Sequence, residues 1–174
     1  MQTEPPAITP SSHPYDALTP EVILDAIEAE GFEVNGRLFA LNSYENRVYQ
    51  VGIEDQPPVI AKFYRPDRWP DSAILEEHEF TLSLQEAGVP VVAPLVLPGG
   101  HSLGQYGDFR FAVFPQRGGQ APDTSVTDTL YRLGQWLGQI HNIGALKPFE
   151  HRPGFDLLAG LEQNNQVLVE GNWI

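Results

Sequence analysis

The chain has 174 residues, enough to close one hydrophobic core, with 41% hydrophobic and 19% charged residues, the balance of a folded protein rather than a disordered one. Its formal net charge of −13 argues against a nucleic-acid or anionic-membrane surface, while leaving room for a local basic cleft. Cysteine is absent, which removes disulfides, thiolate metal sites and a cysteine nucleophile.

Residues 1 to 18 hold Pro5, Pro6, Pro10 and Pro14 among serines and threonines, and read as a flexible arm. Met1 to Pro6 has neither the basic nor the apolar region of a secretion signal. No apolar run later in the chain approaches the roughly 20 residues of a membrane helix. A soluble, cytoplasmic protein with no membrane partner is therefore expected. Thr19-Pro20-Glu21 starts a helix with proline at its first position and Gly31 ends it, with Ile23, Ala26 and Ile27 as the buried stripe. Residues 37–41 and 47–53 read as paired strands around the turn Asn42-Ser43-Tyr44-Glu45-Asn46.

The next strand, Val59 to Tyr64, sends Val59, Ala61 and Phe63 to one face and Ile60, Lys62 and Tyr64 to the other. A helix then runs from Ala73 to Ala87, with Asp71 or Ser72 as N-cap and Gly88 after its end. Winding it at about 100° per residue collects Glu76, Glu79, Ser83 and Glu86 in a polar sector. Glu77 falls outside that sector, among Ile74, Phe80 and Leu84. A carboxylate on an apolar face needs a cation, and Lys62 is the obvious one. A strand lysine paired with a helix glutamate is the device that holds ATP phosphates in kinases.

Val89 to Leu97 reads as an edge strand, because Pro90 and Pro94 interrupt it. Turns follow at Gly99-Gly100 and at Gly104 to Gly107. Asp108 to Phe114 is a strong strand, and Pro115-Gln-Arg-Gly-Gly119 after it reads as a hinge. A helix from about Thr127 to Asn142 carries Leu130, Leu133, Leu137 and Ile140 on one stripe. Gly134 and Gly138 leave room there for a second helix, and His141 at the edge reads as a hydrogen-bonded structural histidine. A weak helical signal spans Leu157 to Leu161. The five histidines, His13, His78, His101, His141 and His151, show no metal-ligand spacing. This order of elements fits an α+β fold: an antiparallel sheet with a helix, then the start of a helical lobe.

The blocks Leu41 to Gln50, Lys62 to Pro66, Ile74 to His78, Gly88 to Val91, Phe111 to Pro115, Gly138 to His141 and His151 to Pro153 resemble the aminoglycoside/choline-kinase branch of the protein-kinase-like superfamily. The resemblance runs from about residue 20 to the end. It implies a kinase-like N-lobe over 19–117 and an incomplete helical C-lobe over 118–174, cut before the catalytic loop. By position it also implies that Lys62 contacts ATP phosphates, that Glu77 orients it, and that the loop Ser43, Tyr44, Glu45 and Asn46 closes over the nucleotide. Phe114 falls in the segment 113–118 that would contact adenine. The loop lacks Gly-x-Gly-x-x-Gly, so backbone N–H groups and the Ser43 hydroxyl would carry the phosphate contact. Read as chemistry alone, 42–46 is a hairpin turn.

Phosphoryl transfer also needs a group to position the nucleophile and oxygens to hold Mg2+. The resembled family places these in His-Gly-Asp followed by Asn, and in a later Asp. His151-Arg152-Pro153 has proline where an acid would stand. Asp156 has Leu161 where an asparagine would be needed, and Asn164, Asn165 and Asn172 receive no role. No catalytic or metal residue is therefore assigned, and the Mg2+ ligands are expected outside the chain. The resemblance implies the ATP-binding part of a cytoplasmic Ser/Thr protein kinase of the stress response, with an unspecified protein substrate and no activity of its own. A small-molecule kinase acting on an aminoglycoside, choline or homoserine-like alcohol is the alternative on the same fold. A stand-alone, non-catalytic interaction module is the third reading.

Overall fold

The computed structural model describes residues 13–154, 169 and 170. Helix α1 (Pro20–Ala29) begins as its sequence dictates, with Thr19 accepting the Val22 N–H at 3.4 Å and Pro20 needing no hydrogen bond in the first turn. Strands β1 (Val34–Leu41), β2 (Arg47–Ile53) and β3 (Gln56–Phe63) follow. Then come α2 (Asp71–Glu86), β4 (Gly104–Tyr106), β5 (Phe109–Pro115) and α3 (Thr127–Gly144). The strands form one antiparallel sheet in the order β1-β2-β3-β5-β4. The expected antiparallel sheet with helices, an α+β arrangement, is what the chain adopts.

The alternation along β3 decides what each face of the sheet does. Val59, Ala61 and Phe63 join Val51, Phe109, Phe111 and Val113 in the main core, which α1 covers with Ile23, Ala26 and Ile27. Phe63 stacks on Phe111 with ring centroids 5.4 Å apart. Lys62 and Tyr64 point to the opposite face, where α2 lies and Tyr64, Ile74 and Ala112 form a smaller cluster. Two cores on one sheet place the lysine between sheet and helix.

Four expectations are corrected. The arm expected over 1–18 gives way at His13 to a turn whose Tyr15 and Leu18 are buried in the main core; residues 1–12 lie outside the described residues. Aromatic and leucine side chains outweigh the neighbouring proline there. Val89 to Leu97 is not a strand: it touches the sheet through Leu95 N–H to the Val113 carbonyl at 2.7 Å, and Pro90 and Pro94 have no N–H to extend a ladder. Gly104 to Tyr106 is a strand where a turn was expected, because Gly104 has no side chain to clash with the Phe111 ring beneath it. Asp71 does not cap α2; Pro70 occupies that position, and Asp71 accepts from Arg110 Nε at 2.9 Å instead.

Helix α3 has the expected extent but buries none of its residues. Among the described residues nothing comes within 4 Å of a side chain added at Gly134 or Gly138, so no second helix uses those glycines. His141, expected to be a structural histidine, is exposed. The segment that follows α3 docks on α2: Phe80 meets Phe149 edge-on at 5.3 Å, and Lys147 pairs with Glu79 at 2.8 Å. The helical signal at Leu157 to Leu161 lies outside the described residues, as do Asp156, Asn164, Asn165 and Asn172.

Candidate nucleotide site

Lys62 stands in β3 opposite Val48 of β2 and Ala112 of β5. Its Nζ donates to Glu77 Oε1 at 3.2 Å and lies 4.6 Å from the centre of the Tyr64 ring. An ammonium has three N–H donors, and one goes to Glu77. The pair expected from the sequence is present, but the carboxylate is not sealed from water. The side chains of Lys62 and Glu77 are 22% and 35% exposed. The polar side chain that α2 does bury is the next residue, His78, together with Ala73, Ile74 and Leu84.

His78 is 2% exposed and hydrogen-bonded at both ring nitrogens, to the Tyr64 hydroxyl at 2.7 Å and the Ser102 hydroxyl at 2.8 Å. Burial, only partly countered by the Glu77 charge, pushes its pKa down to about 4, so the imidazole is neutral at pH 7. Burial and the Glu77 charge push the Tyr64 hydroxyl well above its ordinary value. This network fixes the angle of α2 against the strand that carries Lys62.

The loop 42–46 joins β1 to β2 beside Lys62 in the register. The Ser43 hydroxyl, expected nearest the phosphates, donates to the Asn46 carbonyl at 2.8 Å and so closes the turn. Tyr44 is fully exposed. Glu45 accepts from Arg68 Nε at 3.0 Å and from Trp69 Nε1 at 3.2 Å, and the Arg68 hydrogen bond holds its carboxyl below the usual range. Asn46 Oδ1 accepts the Arg65 N–H at 3.3 Å. The geometry therefore presents three side chains that brace the loop and one, Tyr44, that stands in solvent. Phe114 lies on the Lys62 side of the sheet, edge-on to His78 at 6.5 Å and packed against the Tyr64 and Ile74 cluster. The strand ends one residue later, and the segment from 116 to 123 is exposed.

Two side chains of α2 reach beyond the sheet. Glu76 accepts the backbone N–H groups of Glu150, His151 and Arg152, the last two at 3.0 and 2.9 Å. Burial opposes ionisation of Glu76, but the three amides outweigh it and hold the carboxyl below the usual range. Arg152 then pairs through Nη2 with Glu77 Oε2, so one carboxylate serves two cations. In this acidic chain Lys62 and Arg152 meet at Glu77 of α2, and Arg68 pairs with Glu45 of the 42–46 loop. Among the described residues no three His, Asp or Glu side chains converge to hold a metal ion.

A profile of the phosphotransferase enzyme family matches residues 38–170. The chain belongs to that family. Stress response kinase A of Salmonella choleraesuis (strain SC-B67) is 41% identical over 156 residues, which is 90% of this chain and 47% of the relative. A Salmonella typhimurium relative with the same identity and coverage is named serine/threonine protein kinase RdoA. Stress response kinase A of Escherichia coli (strain K12) is 41% identical over 92% of this chain and 46% of its own length. The chain thus spans about half the length of the curated relatives it matches. Among solved structures, the amicoumacin kinase hAmiN in complex with AMP-PNP, Ca2+ and Ami superposes with a TM-score of 0.62 at 20% identity, over 75% of this chain and 41% of that one. A microcompartment-associated aminopropanol kinase gives 0.59 at 20% identity, over 78% and 45%. These two share the fold.

Sequence reasoning on this member of the phosphotransferase enzyme family missed Arg152 and His78. Arg152 stands in His151-Arg152-Pro153, which was set aside because it lacks an acid. The available signal was a surplus of charge: Glu76 and Glu77 are adjacent and Lys62 satisfies only one of them. His78 could have been found from its spacing, since it lies four residues after Ile74 on the same helical face.

Proposed function

We propose that this chain is the ATP-binding part of a Ser/Thr protein kinase. The observation that carries the reading is the Lys62–Glu77 pair, set on the α2 side of the sheet beside the 42–46 loop. The residues present fit a triphosphate: an ammonium with donors to spare, whose carboxylate partner is shared with the Arg152 guanidinium. Lys62 would contact phosphate oxygens and Glu77 would hold its Nζ in place. Backbone N–H groups of the loop would face the phosphates, since the Ser43, Glu45 and Asn46 side chains are occupied in bracing it. The segment from 113 to 118, with Phe114, would contact adenine. Magnesium, when bound to the nucleotide, would offset phosphate charge. No residue described here is assigned to it, and none is assigned to positioning an acceptor.

The choice of a protein hydroxyl as acceptor is supported by the names of the relatives at 41% identity. Calorimetry of ATP binding to the unmodified chain and to Lys62→Ala tests the nucleotide site, with a loss of about tenfold or more expected. Equal affinity of the two would overturn it. Incubating a form of the protein that spans the full length of its relatives with labelled ATP tests the acceptor. Transfer to casein supports the reading, and transfer only to an amino alcohol or an aminoglycoside favours a small-molecule kinase. The 174-residue chain alone should label neither. A cytoplasmic location is part of the same proposal; among the described residues no helix is long and apolar enough to cross a membrane.

A further inference from the structure

Arg152 is anchored at four points. Its guanidinium pairs with Glu77, its Nε donates to the Ala73 carbonyl at 3.3 Å, its plane lies 4.8 Å from the centre of the Trp69 ring, and its own N–H is taken by Glu76. An arginine on an open surface gains little from one ion pair, because ordering a long side chain offsets the attraction. Here the backbone is already held by Glu76, which also takes the N–H groups of Glu150 and His151. The side chain therefore meets Glu77 with much of its ordering cost already met. Trp69 extends the chain of contacts to the 42–46 loop through its bond to Glu45.

We propose that Arg152 is a positioning residue for the nucleotide phosphates, sharing the Glu77 carboxylate so that Lys62 is left both oriented and electrostatically available. The inference rests on the nucleotide reading above. A Lys62–Glu77 pair alone is neutral. With Arg152 the three groups carry one positive charge, which favours an anionic ligand over a neutral one. Glu77 is also fixed from two sides: Oε1 faces Lys62 and Oε2 faces Arg152. Without the arginine the carboxylate is free to rotate and to draw the ammonium away from the phosphates.

Calorimetry on the 174-residue chain separates this role from a plain structural tie, with ATP and adenosine as the two probes. Arg152→Gln should weaken ATP about tenfold and leave adenosine within about twofold. Arg152→Lys, which restores the charge without the guanidinium fork, should recover part of the ATP loss. Melting curves of both variants report folding. A parallel fall in ATP and adenosine affinity with a lowered melting temperature would make Arg152 structural and overturn the proposal. An unchanged ATP affinity in Arg152→Gln would overturn it too, while leaving the nucleotide site intact. If the unmodified chain binds ATP no better than adenosine and Lys62→Ala changes nothing, the nucleotide reading itself fails and this inference falls with it.

Discussion

Lys62 and Glu77 are joined by an ion pair that water still reaches, and that sets how much it contributes. A fully buried pair would cost about 3–5 kcal/mol on losing one partner, and a fully exposed one under about 1. At 22% and 35% side-chain exposure, Lys62→Met should cost about 1–2 kcal/mol in urea unfolding. A cost above about 3 would mean that the pair is sealed. His78 makes a stronger demand. Its pKa falls from 6.5 to about 4 on folding, so the unfolded chain takes up a proton more readily between those values. The contribution of the neutral imidazole is complete above pH 6.5 and is lost as the pH falls toward 4, at about 1.4 kcal/mol per unit. Urea midpoints should drop over that window more steeply in the unmodified chain than in His78→Gln. Equal slopes would mean that the histidine is not buried neutral.

At the scale of elements, what was legible in the sequence depended on whether the signal was local. Thr19-Pro20 and the alternation of β3 are decided by neighbouring residues, and both were read correctly. The 89–97 segment was misread because its apolar content suits a strand while two prolines deny it the ladder. The Lys62–Glu77 pair was legible because each half lies in an element with a clear period. Arg152 was not, since its partners lie 75 or more residues earlier and no period connects them. Glycines give two tests of the elements. Gly88 ends α2 at φ +80°, with open space around it, so Gly88→Ala should cost about 1 kcal/mol through backbone strain alone. Gly104 has an ordinary backbone but a side chain there would come within 2.5 Å of the Phe111 ring. Gly104→Ala should cost about 1–3 kcal/mol and loosen β4, visible as faster amide exchange at Tyr106 and Phe109. Unaltered exchange would show that the ring simply moves aside.

For the molecule as a whole, the two cores and the surface of α3 pull in different directions. The sheet is covered on one face by α1 and on the other by α2, whereas α3 leaves Leu130, Tyr131 and Leu137 between 51% and 68% exposed. An apolar helix face open to water favours self-association. Sedimentation of the 174-residue chain should show mass rising with concentration, and the double variant Leu130→Glu, Leu137→Glu should reduce that rise. Both changes lie on the surface, so the thermal midpoint should move by less than about 2 °C. A strictly monomeric unmodified chain would show that this face is tolerated as it stands.

The clamp that Glu76 places on residues 150–152 spans 74 to 76 positions of sequence. Closing so long a loop costs more chain entropy than any hairpin in the sheet, and its hydrogen bonds can form only once both ends exist. During synthesis at about 5–20 residues per second, α2 would wait several seconds on the ribosome for its clamp. Through that interval the helix can seat on the sheet by its His78 face, with Glu77 anchored to Lys62 from one side only. The spacing therefore sets an order of synthesis: β1 to β3 and α2 first, then β4 and β5 to complete the sheet, and the latch last. On unfolding the same joint should open first, which pulsed hydrogen exchange would register as early loss of protection at His151 and Arg152 while the β3 amides remain closed.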